Sequence, residues 1–138
     1  MWTEVVPYLK ADLAKVGKKP EQTCVISFSS TVCRDVKQEM PELKVYWLSS
    51  QSENKETGKW EPTIDEMINT AQSIHADGLD VNANEKVDAE FIKQVKATGL
   101  GLYVWTVNNP DQARQLVRDG IDGITTDRPA FLREAIEK

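Results

Sequence analysis

The feature that most constrains this chain is its regular alternation of short β-branched or aromatic runs with amphipathic helical segments, in which no two predicted strands are neighbours in sequence. Thr3 to Val16 predicts a helix, with Val6, Leu9, Leu13 and Val16 at helical spacing and Gly17 as its stop. Thr23 to Phe28 then predicts a strand. Ser29 and Ser30 offer an N-cap to a helix carrying Val32, Cys33, Val36 and Met40, closed before Pro41. Lys44 to Leu48 predicts the second strand, and Gln51 to Glu61, with Gly58 inside it, predicts a polar loop elaborating one face. Thr63 with Glu66 forms a capping box ahead of Ile64, Met67, Ile68, Ala71 and Ile74.

The second half repeats the pattern. Gly78 to Val81 predicts a strand, followed from about Asp88 by a helix with Phe91, Ile92 and Val95, closed by Gly99. Leu100 to Val107 is a nearly continuous apolar run, as expected of a parallel strand covered on both faces. Asn109 and Pro110 start a helix with Ala113, Leu116 and Val117 inward and Gly120 at its end. Asp122 to Thr126 predicts a last short strand, leading through Asp127 and Pro129 into a terminal helix with Phe131, Leu132 and Ile136 on its apolar face. Such alternation implies parallel βαβ crossovers and an α/β fold. Both an open doubly wound sheet and part of a (β/α)8 barrel satisfy it. A complete barrel takes about 250 residues, so the 138 residues here favour the open sheet on length alone.

Composition narrows the function classes. With 40% hydrophobic and 28% charged residues, residues 1–138 have the make-up of a single soluble globular domain. A net charge of -5 disfavours nucleic acid and anionic membrane surfaces, which attract basic patches. No apolar run approaches the roughly 20 residues that cross a bilayer, and the amino terminus has no basic segment followed by a signal core, so no compartment is indicated. Cys24 and Cys33 lack CxxC spacing, and with the single histidine, His75, they make no zinc set, so both are expected to be small buried hydrophobes.

Leu102 to Pro129, LYVWTVNNPDQARQLVRDGIDGITTDRP, resembles the end of the glycerophosphodiester phosphodiesterase family, whose Trp-Thr-Val-Asn strand end is followed by a helix and a Gly-Ile-Asp-Gly-Ile-Thr-Thr-Asp-Arg-Pro type of segment. Ser27-Phe28, after a β-branched strand, resembles an internal motif of the same family, and the order of elements between the two agrees. The resemblance implies a partial TIM (β/α)8 barrel, strands four to eight with flanking helices, and it demotes the open sheet. It also implies a parent activity: hydrolysis of glycerophosphodiesters to glycerol 3-phosphate and an alcohol, assisted by a divalent cation, Mg2+ or Ca2+. That chemistry needs carboxylates around the cation and histidines to move protons. The family carries them on a His-Arg-Gly, a Glu-x-Asp, a further His and a Glu-x-Lys, none of which occurs in this chain at a predicted strand end. The expectation is therefore a fragment with no catalytic and no metal-binding residues of its own, inactive alone. The alternative is a partial barrel that binds or self-associates through its open edges.

Trp105, toward the end of its strand, matches the family's pocket tryptophan and is the leading substrate-binding candidate, able to wall a glycerol or face a quaternary ammonium. Phe28, at another strand end, is a candidate for the opposite wall. His75 ends a helix just before a strand, the face of a barrel away from the chemistry, and reads as a helix-terminus residue. Asp80 and Asn82 could touch a metal or a hydroxyl but read first as loop polar groups. Asp127, ahead of Pro129, reads as an N-cap.

Overall fold

Helix-forming and strand-forming segments alternate along the chain much as the sequence dictates, and the computed structural model describes residues 4–137. The helices are α1 (Val5–Val16), α2 (Ser30–Glu39), α3 (Ile64–Ser73), α4 (Ala89–Lys96), α5 (Pro110–Asp119) and α6 (Pro129–Glu137). The strands are β1 (Cys24–Ser27), β2 (Lys44–Ser49), β3 (Ser52–Glu53), β4 (Trp60–Glu61), β5 (Gly78–Asn82), β6 (Gly101–Trp105) and β7 (Gly123–Ile124). Of the first predicted helix, Thr3 lies outside the described residues.

The predicted caps form. Thr63 Oγ accepts from the Glu66 amide at 3.2 Å while Glu66 Oε2 accepts from the Thr63 amide at 2.7 Å, closing the box that starts α3. Asn109 Oδ1 accepts from the amides of Asp111 and Gln112 at 2.8 and 3.0 Å, with Pro110 at the first helical position. Gly120 ends α5 with φ 93, a left-handed turn that costs glycine little.

Five strands pair in parallel in the order β1-β2-β5-β6-β7. Each long strand thus lies beside the next one in sequence, with no reversal. A doubly wound sheet reverses its order at a switch point; an uninterrupted order is that of a barrel wall. The length argument for the open sheet fails here, and the chain is a partial (β/α)8 barrel.

Alternation along the strands separates two faces. Val45, Leu79, Val81, Leu102 and Val104 are buried beneath α2 to α5, against Val36, Met67, Ala71, Ile92, Val95 and Leu116. Complete burial of a side chain such as Leu79 stabilises by about 1.5–3 kcal/mol. The other, concave face is incompletely covered: Ile26 is 49% and Phe28 59% exposed. This corrects the expectation for Cys24, which lies on β1 on the side of Ile26 and is exposed, whereas Cys33 of α2 is buried and its thiol is pushed up to about 11, chiefly by burial. Val16, Val117 and Phe131, expected inward, are also exposed, while Leu132, expected inward with Phe131, is buried and anchors α6.

At the strand N-terminal ends one device occurs twice. Asp77, just before β5, accepts from the Val45 amide at 2.8 Å, and its own amide donates to the Val45 carbonyl at 2.8 Å. Lys37 of α2 closes an ion pair with it at 3.0 Å and Lys44 another at 3.3 Å. Asp122, just before β7, makes the same reciprocal bonds with Leu102 at 2.9 and 3.1 Å and pairs with Lys96 of α4 at 2.8 Å. Burial pushes both carboxyls up, but these amide and lysine donors outweigh it and hold them below the ordinary aspartate range. Each aspartate precedes a glycine on the concave face. The Tyr46 ring lies over Gly78 and Gly101, the Tyr103 ring over Gly123, and the two rings stack at 4.5 Å. The floor of the concavity is therefore filled by aromatic rings that only glycine beneath them admits.

The loop from Gln51 to Glu61 holds a hairpin that the sequence reading did not anticipate, β3 pairing antiparallel with β4 through Ser52 and Glu61, and Glu53 and Trp60. Asn54 shapes its turn, with Oδ1 accepting from the amides of Glu56 and Thr57 at 3.0 and 3.3 Å. Lys86, in the β5–α4 connection, lies 5.9 Å from the Trp60 ring centroid, so the hairpin sits at the C-terminal ends of the strands.

Candidate substrate-binding face

In a barrel the reactive end is where strands run into the following helices. Phe28 and Trp105 both stand there. On a flat sheet β1 and β6 would be three strand spacings, about 14 Å, apart. The two side chains reach across the concavity and meet edge-to-face, with ring centroids 5.7 Å apart and planes at 88°. They form one aromatic corner rather than opposite walls. Indole nitrogens fix it from both sides: Trp47 Nε1 donates to the Phe28 carbonyl at 3.0 Å, and Trp105 Nε1 donates to the Asp80 carbonyl at 3.1 Å.

Asn82 is committed to structure. Its Oδ1 accepts from the Gln51 amide at 2.7 Å and its Nδ2 donates to the Gln51 carbonyl at 3.0 Å, fastening the segment after β2 to β5. Asp80 departs from its reading as a loop polar group: it lies within β5, is 1% exposed, and its Oδ1 has no hydrogen-bond partner. Burial pushes its carboxyl up to about 6.

Asp127 is not an N-cap. Its Oδ2 accepts from Asn108 Nδ2 at 2.8 Å, while Asn108 Oδ1 accepts from the Asp127 amide at 3.0 Å and from Thr126 Oγ1 at 2.8 Å. Asn108, the last residue of the Trp-Thr-Val-Asn segment, thus stitches the loop after β6 to the loop after β7. The sequence reading passed over it, although both of its partners stand in the quoted motif. His75 is far from this corner in role, because it follows α3 at the N-terminal end of β5. It takes a left-handed φ of 56, and the next amide, of Ala76, donates to the Ala71 carbonyl at 3.0 Å, so it turns the chain out of the helix.

Among the described residues no three His, Cys, Asp or Glu side chains stand together as a cation would require. The described residues do not fit a divalent metal. A recess of about 740 Å3 between α1 and α2, lined by Val6, Pro7, Ala11, Asp35 and Gln38, lies on the outer, helical layer away from the strand ends. Among the described residues no helix is long and apolar enough to cross a membrane.

The sequence model of the Glycerophosphoryl diester phosphodiesterase family matches residues 2–131. A glycerophosphodiester phosphodiesterase of Caldanaerobacter subterraneus subsp. tengcongensis is 28% identical over 135 residues, which cover 96% of this chain and 51% of that protein. The chain thus spans about half the length of this curated relative. A crystal structure from Silicibacter pomeroyi superposes with TM-score 0.79 at 22% identity, covering 99% of this chain and 44% of that one. A phosphodiesterase of Oleispira antarctica, solved with the product sn-glycerol-3-phosphate, superposes with TM-score 0.67 at 19% identity, covering 83% of this chain and 42% of that one.

Proposed function

Because the chain belongs to the glycerophosphoryl diester phosphodiesterase family, we propose that residues 1–138 form one domain that is the C-terminal portion of a barrel hydrolysing glycerophosphodiesters. In that reaction a water oxygen bonds to phosphorus, the bond from phosphorus to the head-group oxygen breaks, and the alcohol leaves with a proton, giving glycerol 3-phosphate. A divalent cation, Mg2+ or Ca2+, would offset charge on the phosphate oxygens from carboxylates outside this chain. The chain itself supplies a binding wall and no catalytic group.

The observation that carries this reading is the Phe28–Trp105 corner at the strand C-terminal ends. Phe28 is 59% exposed and offers a ring face, and the indole of Trp105 is pinned at its nitrogen, so a ligand's carbon skeleton meets a rigid apolar surface. Titrating the purified chain with sn-glycerol 3-phosphate by saturation-transfer NMR tests it. Contacts to the glycerol protons are expected, weakened about tenfold in Trp105→Ala, as loss of an aromatic contact of this kind implies. Equal binding by the variant would refute the wall.

The same uncovered face favours a second reading, self-association. Ile26 is 49% exposed beside Phe28, and β1 and β7 are the outer strands of the sheet, each with one unpaired edge. Sedimentation at micromolar concentration should then show dimers or larger species; a single monomeric boundary contradicts it.

A further inference from the structure

We propose that the recess between the β5–α4 connection and α5 binds a small primary alkylammonium ion, its chain on an apolar floor and its charge held by the rim carboxylates of Asp88 and Asp119. The site lies on the outer, helical side of the sheet, so it is independent of the Phe28–Trp105 corner and of the function built on it.

The recess follows from how the chain leaves β5. The strand ends at Asn82 and α4 starts only at Ala89, so residues 83–88 run over the helical layer before the helix begins. Asn84 turns that connection: its Oδ1 accepts from the Lys86 amide at 2.8 Å and its carbonyl from the Val87 amide at 3.1 Å. Facing it, α5 sets Gln112, Gln115, Leu116 and Asp119 along one stripe, at the i, i+3, i+4, i+7 spacing of a single helix face. The space between them is an open recess of about 410 Å3, within the usual size of a small-molecule site. Ala83, Val87 and Leu116 form its floor, with Val104 of β6 beneath, while Asp88, Gln112 and Gln115 at its mouth are exposed, so a ligand has free entry.

The lining selects the ligand. No lysine or arginine lines the recess, and among the described residues neither carboxylate forms an ion pair. Each takes its hydrogen bond from a neutral donor: Asp88 Oδ1 from the Phe91 amide at 2.9 Å, Asp119 Oδ1 from Gln115 Nε2 at 2.8 Å. Cations close by in sequence are committed elsewhere. Lys96 pairs with Asp122 at 2.8 Å and donates to the Gly120 carbonyl at 2.9 Å, and Arg118 Nη2 donates to Gln115 Oε1 at 2.8 Å. Asp88 caps the start of α4, where the helix dipole favours an anion, but Asp119 is the last residue of α5, where it disfavours one. A cation in the recess supplies the compensation that the chain does not. The lining holds no aromatic ring, so the cage that suits a quaternary ammonium is absent, whereas a primary ammonium brings three donors to carboxylate oxygens. An apolar floor below a charged rim then calls for an alkyl chain on that ammonium.

The test titrates n-pentylammonium into the isotope-labelled whole chain at pH 7 and follows backbone amide shifts by NMR. Shifts confined to residues 83–89 and 112–119 are expected, with a dissociation constant of about a millimolar, as the size of the ligand implies. The neutral isostere 1-pentanol should bind about tenfold more weakly, and pentanoate not measurably. Asp88→Asn, which still caps α4, and Asp119→Asn should each weaken pentylammonium about threefold, and the double variant about tenfold. Ala89→Phe keeps both carboxylates and fills the recess, so it should abolish the shifts; a dispersed spectrum shows that each variant is folded. Equal binding of 1-pentanol and pentylammonium would overturn the role of the carboxylates. Undiminished binding by Ala89→Phe would show attraction to surface charge and no recess site, and a wild type without shifts in these two segments would overturn the proposal outright. None of these results bears on the aromatic corner, which is tested by its own ligand.

Discussion

Replacing Asp80 by asparagine should stabilise the protein, and only above pH 4. The folded carboxyl is pushed up to about 6 by burial, against about 3.9 for aspartate in an unfolded chain. The native state therefore holds this proton more tightly, and its advantage is complete below pH 4. As pH rises through 6 the native carboxyl must ionise in a buried place, and the advantage is lost. A gap of about two pH units at about 1.4 kcal/mol each makes the loss about 3 kcal/mol by pH 8. The side chain is 1% exposed, so solvent screening does little to reduce that figure. Asparagine has nothing to ionise. In urea unfolding, with a slope of about 2 kcal/mol/M for a chain of this size, the midpoint of Asp80→Asn relative to wild type should move up by about 1.5 M between pH 4 and pH 8. A difference between the two proteins that is the same at both pH values would mean that the native carboxyl titrates as an ordinary aspartate and is not perturbed by burial.

The paired aspartates behave with the opposite sign: Asp77→Ala strands the Val45 amide and takes the ion-pair partner from Lys37, which keeps the Pro41 and Leu43 carbonyls, and should cost about 2 kcal/mol at pH 7 by urea unfolding. Asp122→Ala, at the more exposed site, should cost about 1 kcal/mol, and both losses should shrink in acid as the wild-type carboxyls, held below the ordinary range, take up protons. His75→Gly should raise stability by about 1 kcal/mol, because glycine takes the left-handed turn after α3 without a side-chain clash; an unchanged midpoint would contradict this. Gly78→Ala should cost about 3 kcal/mol, since its methyl would collide with the rigid Gly101 carbonyl and the Tyr46 ring; a near-neutral midpoint would show that β5 and β6 can part locally.

What was legible in the sequence was local. The Thr63–Glu66 box, the Asn109–Pro110 helix start and the glycine stops act within a few residues, so spacing alone reveals them. Strand order is not local, and the same alternation of elements serves an open sheet and a barrel wall; the Trp-Thr-Val-Asn and Thr-Asp-Arg-Pro segments decided it where periodicity did not. The hairpin escaped because two-residue strands show no alternation, although Asn54 and Gly58 mark its turn. Asp127 was misread because an aspartate near a proline commonly caps a helix, and its partner Asn108 comes from another loop. The burial of Asp80 was invisible because the side chains that cover the concave face belong to other strands. Phe28 and Trp105 were each chosen for their strand ends, but only the curvature of the sheet brings them together.

We propose that this chain supplies the binding wall of a glycerophosphodiesterase barrel and not its catalytic groups. The most direct measurement is release of sn-glycerol 3-phosphate from glycerophosphocholine by the purified chain, with Mg2+ or Ca2+ added and with chelator present. No release above background in either condition is predicted. Release that depends on the added cation would contradict the claim and show that the chain, alone or as an assembly of copies, builds a complete active site.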